Sequence, residues 1–335
     1  MIGPLCALVA AVAGRSQLPQ EPVVYSAERL TIDPDPRARR VLLEEHVRLE
    51  RGDLVVTGDR AVGELAPPGA PPRGQKRPRR RSSKQAGPVL PDTGGDDVRR
   101  FTVDGHVHVE RQGRTADGSH AEYDGEKQTL LLTGVNDSLP PAAHGAMAGP
   151  ILRDGHETLA GERILLHLEN DDVDVVRPRL VLHRSEGPAQ AGKGKPREGA
   201  SQPVVPVRVE AQSLKLDASR RVARFSDDVV VHRGDVTVRG PLMDARYDKA
   251  GDLTQLLLSG GVELLEGERR ATGKAAVYDA STRKVVLTGN PTLYDRGDQL
   301  AGERIEMALD SHEVKVDRAR GRIRPEVHEK EEGAR

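Results

Sequence analysis

The sequence predicts an all-β protein built from two copies of one antiparallel domain. Three observations carry this: strict apolar–polar alternation in short runs, turn residues between those runs, and a set of motifs that occurs twice in the same order. Leu214-Lys215-Leu216, Val236-Thr237-Val238, Val262-Glu263-Leu264, Ile305-Glu306-Met307 and Val314-Lys315-Val316 each place apolar side chains on one face and polar ones on the other. Between such runs stand Arg233-Gly234-Asp235, Ser259-Gly260-Gly261, Thr288-Gly289-Asn290-Pro291 and Arg296-Gly297-Asp298, at the spacing of about 8 to 12 residues typical of short-stranded folds. No segment sustains a 3.6-residue apolar period. A meander, a sandwich, a jelly roll and a solenoid all fit this pattern.

The duplication is explicit. Ser26-Ala-Glu-Arg-Leu-Thr-Ile-Asp33 is matched by Glu210-Ala-Gln-Ser-Leu-Lys-Leu-Asp217, and Gly52-Asp-Leu-Val-Val-Thr-Gly58 by Gly234-Asp-Val-Thr-Val-Arg-Gly240. Ala121-Glu-Tyr-Asp124 aligns with Ala276-Val-Tyr-Asp279, and Leu159-Ala-Gly-Glu-Arg-Ile164 recurs letter for letter as Leu300-Ala-Gly-Glu-Arg-Ile305. Residues 22–184 form the first domain and 207–325 the second, joined by a Gly/Pro/Lys/Ala linker at 185–206 and followed by a charged tail at 326–335. The first copy carries a Pro-rich insertion at about 66–97 and a Pro/Ala/Gly-rich one at about 136–148. Neither insertion has enough apolar surface to offset its ordering entropy, so both are expected to be mobile loops.

Composition narrows the classes. Of 335 residues, 36% are apolar and 2% aromatic, with no Trp, so the interior is a thin aliphatic layer rather than an aromatic-filled enzyme core. Lys plus Arg number 51 and Asp plus Glu 52; the net charge of −1 selects no polyanionic partner globally. Cys6 is the only cysteine and makes no internal disulfide. Residues 1–21 read as a signal peptide and leader: Ile2 to Ala13 is apolar, and Ala11-Val12-Ala13 fits a cleavage signal, although no Lys or Arg follows Met1. A soluble protein with an apolar N-terminus is the rival reading. The apolar stretch, at 1.5 Å per residue, spans roughly 18 Å of a 30 Å hydrocarbon layer. The expected location is the periplasm.

The chemical motifs mostly reduce to structure. Lys76 to Lys84 is a basic run; with no aromatic residue to stack a base it predicts no nucleic-acid partner, and it reads as a solvated loop or, through Arg77, Arg79, Arg80 and Arg81, as a contact for anionic lipid headgroups. Gly187 to Lys193 mimics a phosphate loop but continues with Gly194 and lacks a strand-to-helix context. His106 and His108 share an outward strand face with no third ligand fixed by spacing, so no metal is expected. No nucleophile elbow or cofactor fingerprint is found, and the carboxylates fall on outward strand positions or in turns; neither enzymatic activity nor a cofactor is expected.

The apolar stripe remains. Its ordinary role is a sandwich core, but a curved sheet lined only by aliphatics also suits acyl chains. The inward positions are Leu30, Ile32, Val47, Leu49, Val107, Val109, Ile164 and Leu166 in the first copy. In the second they are Leu214, Leu216, Val229, Val231, Val236, Val238, Val262, Leu264, Ile305 and Met307.

Ala27 to Asp33, Gly52 to Arg60, Gly234 to Gly240, Ala276 to Asp279, Leu287 to Pro291 and Gly297 to Ile305 together resemble the OstA-like domain of periplasmic lipopolysaccharide-transport (Lpt) proteins of LptA type. The resemblance runs from Val23 to about Arg324 outside the insertions. It implies a twisted antiparallel β-jelly-roll whose groove shields lipid A acyl chains between inner and outer membranes. It also implies stacking on other Lpt-type jelly rolls through edge strands. Family bridge proteins usually have one such domain; this chain has two. A non-catalytic envelope adaptor that docks partners without carrying lipid is the alternative, and the soluble N-terminal part of an outer-membrane assembly protein is a third reading.

Overall fold

A computed structural model describes residues 23–33, 40–65, 98–135, 149–155, 157–182, 206–249, 251–308 and 313–322. The leader, both insertions with the basic run, nearly all of the linker and the tail lie outside the described residues. The chain divides into two compact units, an N-terminal one reaching Pro178 and including Lys215–Arg220, and a C-terminal one of Arg179–Leu214 and the chain from Arg221.

In the N-terminal unit the strands are β1 (Val24–Ser26), β2 (Arg29–Ile32), β3 (Arg40–Arg51), β4 (Leu54–Leu65), β5 (Val98–Arg111), β6 (Arg114–Asp124) and β7 (Thr129–Thr133). They continue with β8 (Ile151–Asp154), β9 (Glu157–Ala160), β10 (Arg163–His167) and β11 (Val173–Val176). β1 and β2 both pair with β3, and β3 to β6 form an antiparallel meander. Here β6 is shared: His120–Asp124 pairs with β7, while Thr115–Asp117 pairs with β8. One strand thus feeds two sheets, which close over a common interior as a jelly roll.

The C-terminal unit contains β12 (Arg179–Leu182), β13 (Val207–Glu210), part of β14 (Ser213–Asp217), β15 (Val222–Arg233), β16 (Val236–Tyr247), β17 (Leu253–Glu266) and β18 (Arg269–Asp279). It ends with β19 (Lys284–Thr288), β20 (Thr292–Asp295), β21 (Asp298–Ala301), β22 (Arg304–Ala308), β23 (Val314–Asp317) and β24 (Arg320–Arg322). The pairing plan repeats: β13 pairs with β15, β15 to β18 form the meander, and β18 splits between β19 and β20. β12 pairs with β13 in this unit, Leu180 opposite Val209.

Long strands turn the corner at bulges. Register shifts fall between Glu44 and Val47, Thr57 and Arg60, and Asp104 and Val107, and again between Ser226 and Val229, Arg239 and Leu242, and Ser259 and Val262. Glu45 and His46 (φ 66° and 53°) and Asp227 and Asp228 (φ 63° and 52°) accept the left-handed conformation that such a bulge needs; Gly260 and Gly261 (φ 90° and 107°) do so without a side chain.

The repeated words have local physical causes. In Leu-Ala-Gly-Glu-Arg-Ile the glycine sits where the chain passes against a neighbouring strand: a Cβ on Gly302 would lie 2.5 Å from the Asp317 carbonyl oxygen, and one on Gly161 2.8 Å from that of Val176. The glutamate N–H donates to the same strand, Glu303 to Asp317 O at 3.0 Å and Glu162 to Val176 O at 2.9 Å. Each glutamate side chain then pairs with an arginine there, Arg177 on Glu162 at 2.5 Å and Arg318 on Glu303. Ile164 and Ile305, which end the word, are fully buried. In Ala-x-Tyr-Asp, the aspartate closes the hairpin: Asp124 accepts the N–H of Glu126 and Lys127, and Asp279 those of Ser281 and Thr282. The Ser281 hydroxyl and the Thr282 N–H hold the Asp279 carboxyl down to about 2. Tyr123 is buried and stacks on Phe101, ring centroids 4.6 Å apart.

Gly302→Ala tests the reading of the repeated word. Its methyl would meet backbone rather than a flexible side chain, so it is expected to destabilise the C-terminal unit by about 1–3 kcal/mol in urea unfolding. An unchanged midpoint would count against the close approach.

Candidate functional site

The inward faces of the strands form the interior of each unit, and most of the apolar positions read from sequence lie there. Val47, Leu49, Val107, Val109 and Ile164 are buried in the N-terminal unit, as are Leu214, Val229, Val262, Leu264, Ile305 and Met307 in the C-terminal one. Leu216, the partly shared β14 residue, is also buried. Leu166, Val231, Val236 and Val238 are half-buried.

Leu30 and Ile32 differ: they are 45% and 60% exposed. Alternation along β2 gives them the same parity as the inward set, but β2 pairs with β3 only through Leu43, Val41 and their neighbours, and nothing described covers its apolar side. With Val24 at 58% and Tyr25 at 44%, they leave the β1–β2 edge apolar and open. Their sequence counterparts Leu214 and Leu216 are 2% and 3% exposed.

A small notch of about 50 Å³ reaches the interior of the N-terminal unit. Val109, Ala116, Leu152, Leu166 and Val173 line it, with Arg111, Arg114, His167 and Asp171 among its polar neighbours. That volume holds one or two waters, not an acyl chain. Around it, Arg111 donates to Asp171 at 2.7 Å and to the Leu168 carbonyl at 3.3 Å, and Arg114 donates to Asp154 at 2.9 Å.

These charged groups went unrecognised in the sequence. The expectation that carboxylates occupy outward positions or solvated turns fails at Asp117, Asp154 and Glu157, which are buried. Asp117 is held by His108 Nδ1 at 2.7 Å and by Arg153. Asp154 and Glu157 face each other across the β8–β9 hairpin. Burial, reinforced by the Asp154 charge, pushes the Glu157 carboxyl up to about 8. Pairing, not alternation, marks Asp117 and Asp154, and the arginines that hold them stand 36 and 40 residues away in sequence.

His106 and His108 both point outward, each engaged by a carboxylate: His106 with Asp59 at 2.7 Å, His108 with Asp117. Among the described residues no group of three or more His, Cys, Asp or Glu side chains could hold a metal ion. No helix among them is long and apolar enough to cross a membrane. The arrangement is an apolar interior with a charged rim and an open apolar edge.

Comparison with known proteins shows what part of the chain is similar to. Residues 208–313 match the model described as LptA/(LptD N-terminal domain) LPS transport protein. The lipopolysaccharide export system protein LptH of Pseudomonas aeruginosa is 28% identical over 123 residues, covering 35% of this chain and 70% of that protein. An uncharacterized protein of Rhizobium meliloti is 24% identical over 127 residues, 35% of this chain and 68% of its own length. The crystal structure of LptH, titled as the LptA homologous periplasmic component of the conserved lipopolysaccharide transport device, aligns with a TM-score of 0.34 at 23% identity, over 36% of this chain and 96% of that one.

Glu157 makes the N-terminal unit pH-dependent. Its folded value of about 8 exceeds the ordinary 4.5, so the stability contributed by the protonated form is complete below pH 4.5 and is lost as pH rises through about 8. Glu157→Gln keeps the shape without the titrating proton. Wild type is expected to lose urea resistance between about pH 4.5 and 8 while the variant does not. Parallel curves would show that Glu157 is already charged at neutral pH.

Proposed function

We propose, from the OstA-like Lpt domain that residues 208–313 form, that the protein is a periplasmic lipopolysaccharide-binding component of lipopolysaccharide transport. Its apolar interior shields lipid A acyl chains, and its edge strands join it to other Lpt-type jelly rolls in a bridge between inner and outer membranes. The observation that carries the reading is the coincidence of that family match with the buried inward apolar positions of the C-terminal unit, Leu214, Val229, Val262, Leu264, Ile305 and Met307.

The inward side chains pack on one another, so lipid enters by replacing those contacts rather than by filling an empty tunnel. The exchange is cheapest where packing is incomplete, at Val231, Val236 and Val238. Each methylene taken from water contributes about 0.8 kcal/mol, which offsets the separation of the two sheets. The polar outer faces, with cross-strand pairs such as Arg224–Asp244 and Lys284–Glu306, stay solvated during such an opening. Contact of Arg77, Arg79, Arg80 and Arg81 with anionic headgroups belongs to the same reading, on residues outside those described.

The β1–β2 edge supports the docking half of the proposal. Backbone N–H and C=O groups of an edge strand offer a template for a further strand, and here they are flanked by exposed Val24, Tyr25, Leu30 and Ile32, with Arg29 the one charged residue of β1 and β2. One observation favours the adaptor alternative: side chains such as Val47, Val107 and Ile164 in the N-terminal unit and Val229, Leu287 and Ile305 in the C-terminal one are at most 1% exposed, as in permanently filled cores.

A photoreactive residue at Leu216, Val238 or Met307 is expected to capture lipopolysaccharide in cells, and one at Lys215, Thr237 or Glu306 is not. Equal labelling of the two sets would reject the interior as the lipid path. Separately, Ile32→Lys should abolish association with an Lpt-type jelly roll, measured by in-cell disulfide or photo-crosslinking at Tyr25, and leave the melting temperature unchanged. Retained association would place the docking surface elsewhere.

A further inference from the structure

Outside the β1–β2 edge, Tyr294 is the one large apolar side chain standing exposed among the described residues, at 39%. Sheet register places it in a defined neighbourhood. Arg270 of β18, Tyr294 of β20, Gln299 of β21 and Arg322 of β24 are direct partners across four strands. Direct partners share a face, so these four side chains form one row on the outside of the sheet, neighbours about 5 Å apart. Two residues along lies a parallel row of Thr272, Thr292, Ala301 and Arg320. The intervening positions, Ala271, Leu293 and Leu300, turn to the interior, and Ala271 and Leu293 are buried.

The charges on this face are unevenly used. Arg270 is committed to Glu263 at 2.6 Å. Arg320 and Arg322 are exposed and have no ion-pair partner among the described residues. The corresponding place in the N-terminal unit is built differently: the register Thr115–Arg153–Thr158 puts Arg153 where Tyr294 stands, and Arg153 is paired with the buried Asp117. The C-terminal unit therefore has, in place of a self-satisfied ion pair, a phenol ring, an amide and hydroxyls beside two guanidinium groups that are unpaired among the described residues.

We propose that the outer face of β18, β20, β21 and β24 is a subsite for a phosphorylated sugar headgroup. The C–H face of a sugar ring lies on Tyr294, Gln299 and Thr292 exchange hydrogen bonds with ring hydroxyls, and the guanidinium forks of Arg320 and Arg322 take the phosphate. The other side of the same strands is apolar, and Gly321 leaves the inner face of β24 without a side chain. An amphiphile can thus set its acyl chain inside and its head outside around one thin lip. The proposal rests on the lipopolysaccharide reading of this unit and names the part of the ligand that the interior does not hold.

The full-length protein is titrated calorimetrically with lipid-free phosphorylated oligosaccharide prepared from lipopolysaccharide, with the same oligosaccharide after dephosphorylation, and with inorganic phosphate. Tyr294→Ala and the double variant Arg320→Gln, Arg322→Gln are each expected to weaken the first ligand about tenfold, the scale of one charge-assisted or stacking contact. Tyr294→Phe should retain most of the affinity, and melting temperatures should stay at the wild-type value because all three side chains are exposed. Dephosphorylation should also cost about tenfold, and inorganic phosphate should not compete at equal concentration. Unchanged affinity in the variants, equal binding of the dephosphorylated sugar, or effective competition by phosphate alone overturns the subsite. Capture of lipopolysaccharide by a photoreactive residue at Val238 reports on the interior independently: its loss with Tyr294-dependent sugar binding intact rejects the acyl-chain reading and leaves the subsite standing.

Discussion

In both units the long strands must serve two sheets, and the meander turns that corner where its register slips. β6 leaves β8 and joins β7 within a few residues, and β18 does the same between β20 and β19. On β3, β15 and β17 consecutive left-handed residues, at Glu45–His46, Asp227–Asp228 and Gly260–Gly261, supply the bend, and β6 and β18 follow it with no left-handed residue of their own. Without it the strands would continue as one flat, open sheet with an apolar side in water. With it, the two halves of each strand face each other across a common interior, and the alternating pattern becomes a lining.

The electrostatics of the two units differ. The N-terminal unit buries Asp154 and Glu157, and Asp117 on the outward face beside His108 and Arg153, and meets the cost through His108, Arg153 and Arg114 and by keeping Glu157 protonated. The C-terminal unit keeps its equivalent charges at the surface: Arg269–Asp295 and Arg270–Glu263 are partly solvated pairs. A buried, paired network resists rearrangement because breaking it strands a charge. An apolar interior rimmed by solvated pairs, with no buried charge to strand, can part at lower cost. This contrast supports the proposal that the C-terminal unit, whose residues 208–313 match the Lpt family model, exchanges core contacts for lipid.

The same contrast appears at the surface. Apolar exposure concentrates on β1 and β2, where an added strand would cover it, and on Tyr294, where a ligand would. Elsewhere the outer faces are laced by cross-strand pairs, which keep the broad sheets soluble and discourage pairing at random.

The sequence by itself determined the strands and the repeat. Period-two alternation, turn residues and the words Leu-Ala-Gly-Glu-Arg-Ile and Ala-x-Tyr-Asp are legible within a few residues; the hairpin that Asp279 closes is local, whereas the reason for Gly302 is its approach to Asp317 on another strand. The likeness of residues 208–313 to an Lpt domain was legible for the same reason. Burial was decided by the tertiary structure. Leu30 and Leu214 carry the same local pattern, yet one is 45% exposed and the other 2%, because the first lies on an uncovered edge strand. Asp117 and Glu157 read as ordinary polar positions until Arg153, His108 and Asp154 are brought beside them. The row of Arg270, Tyr294, Gln299 and Arg322 is likewise assembled across four strands from residues up to 52 positions apart in the numbering, 270 to 322. Alternation fixes which face a side chain takes; only the arrival of other strands fixes what that face meets.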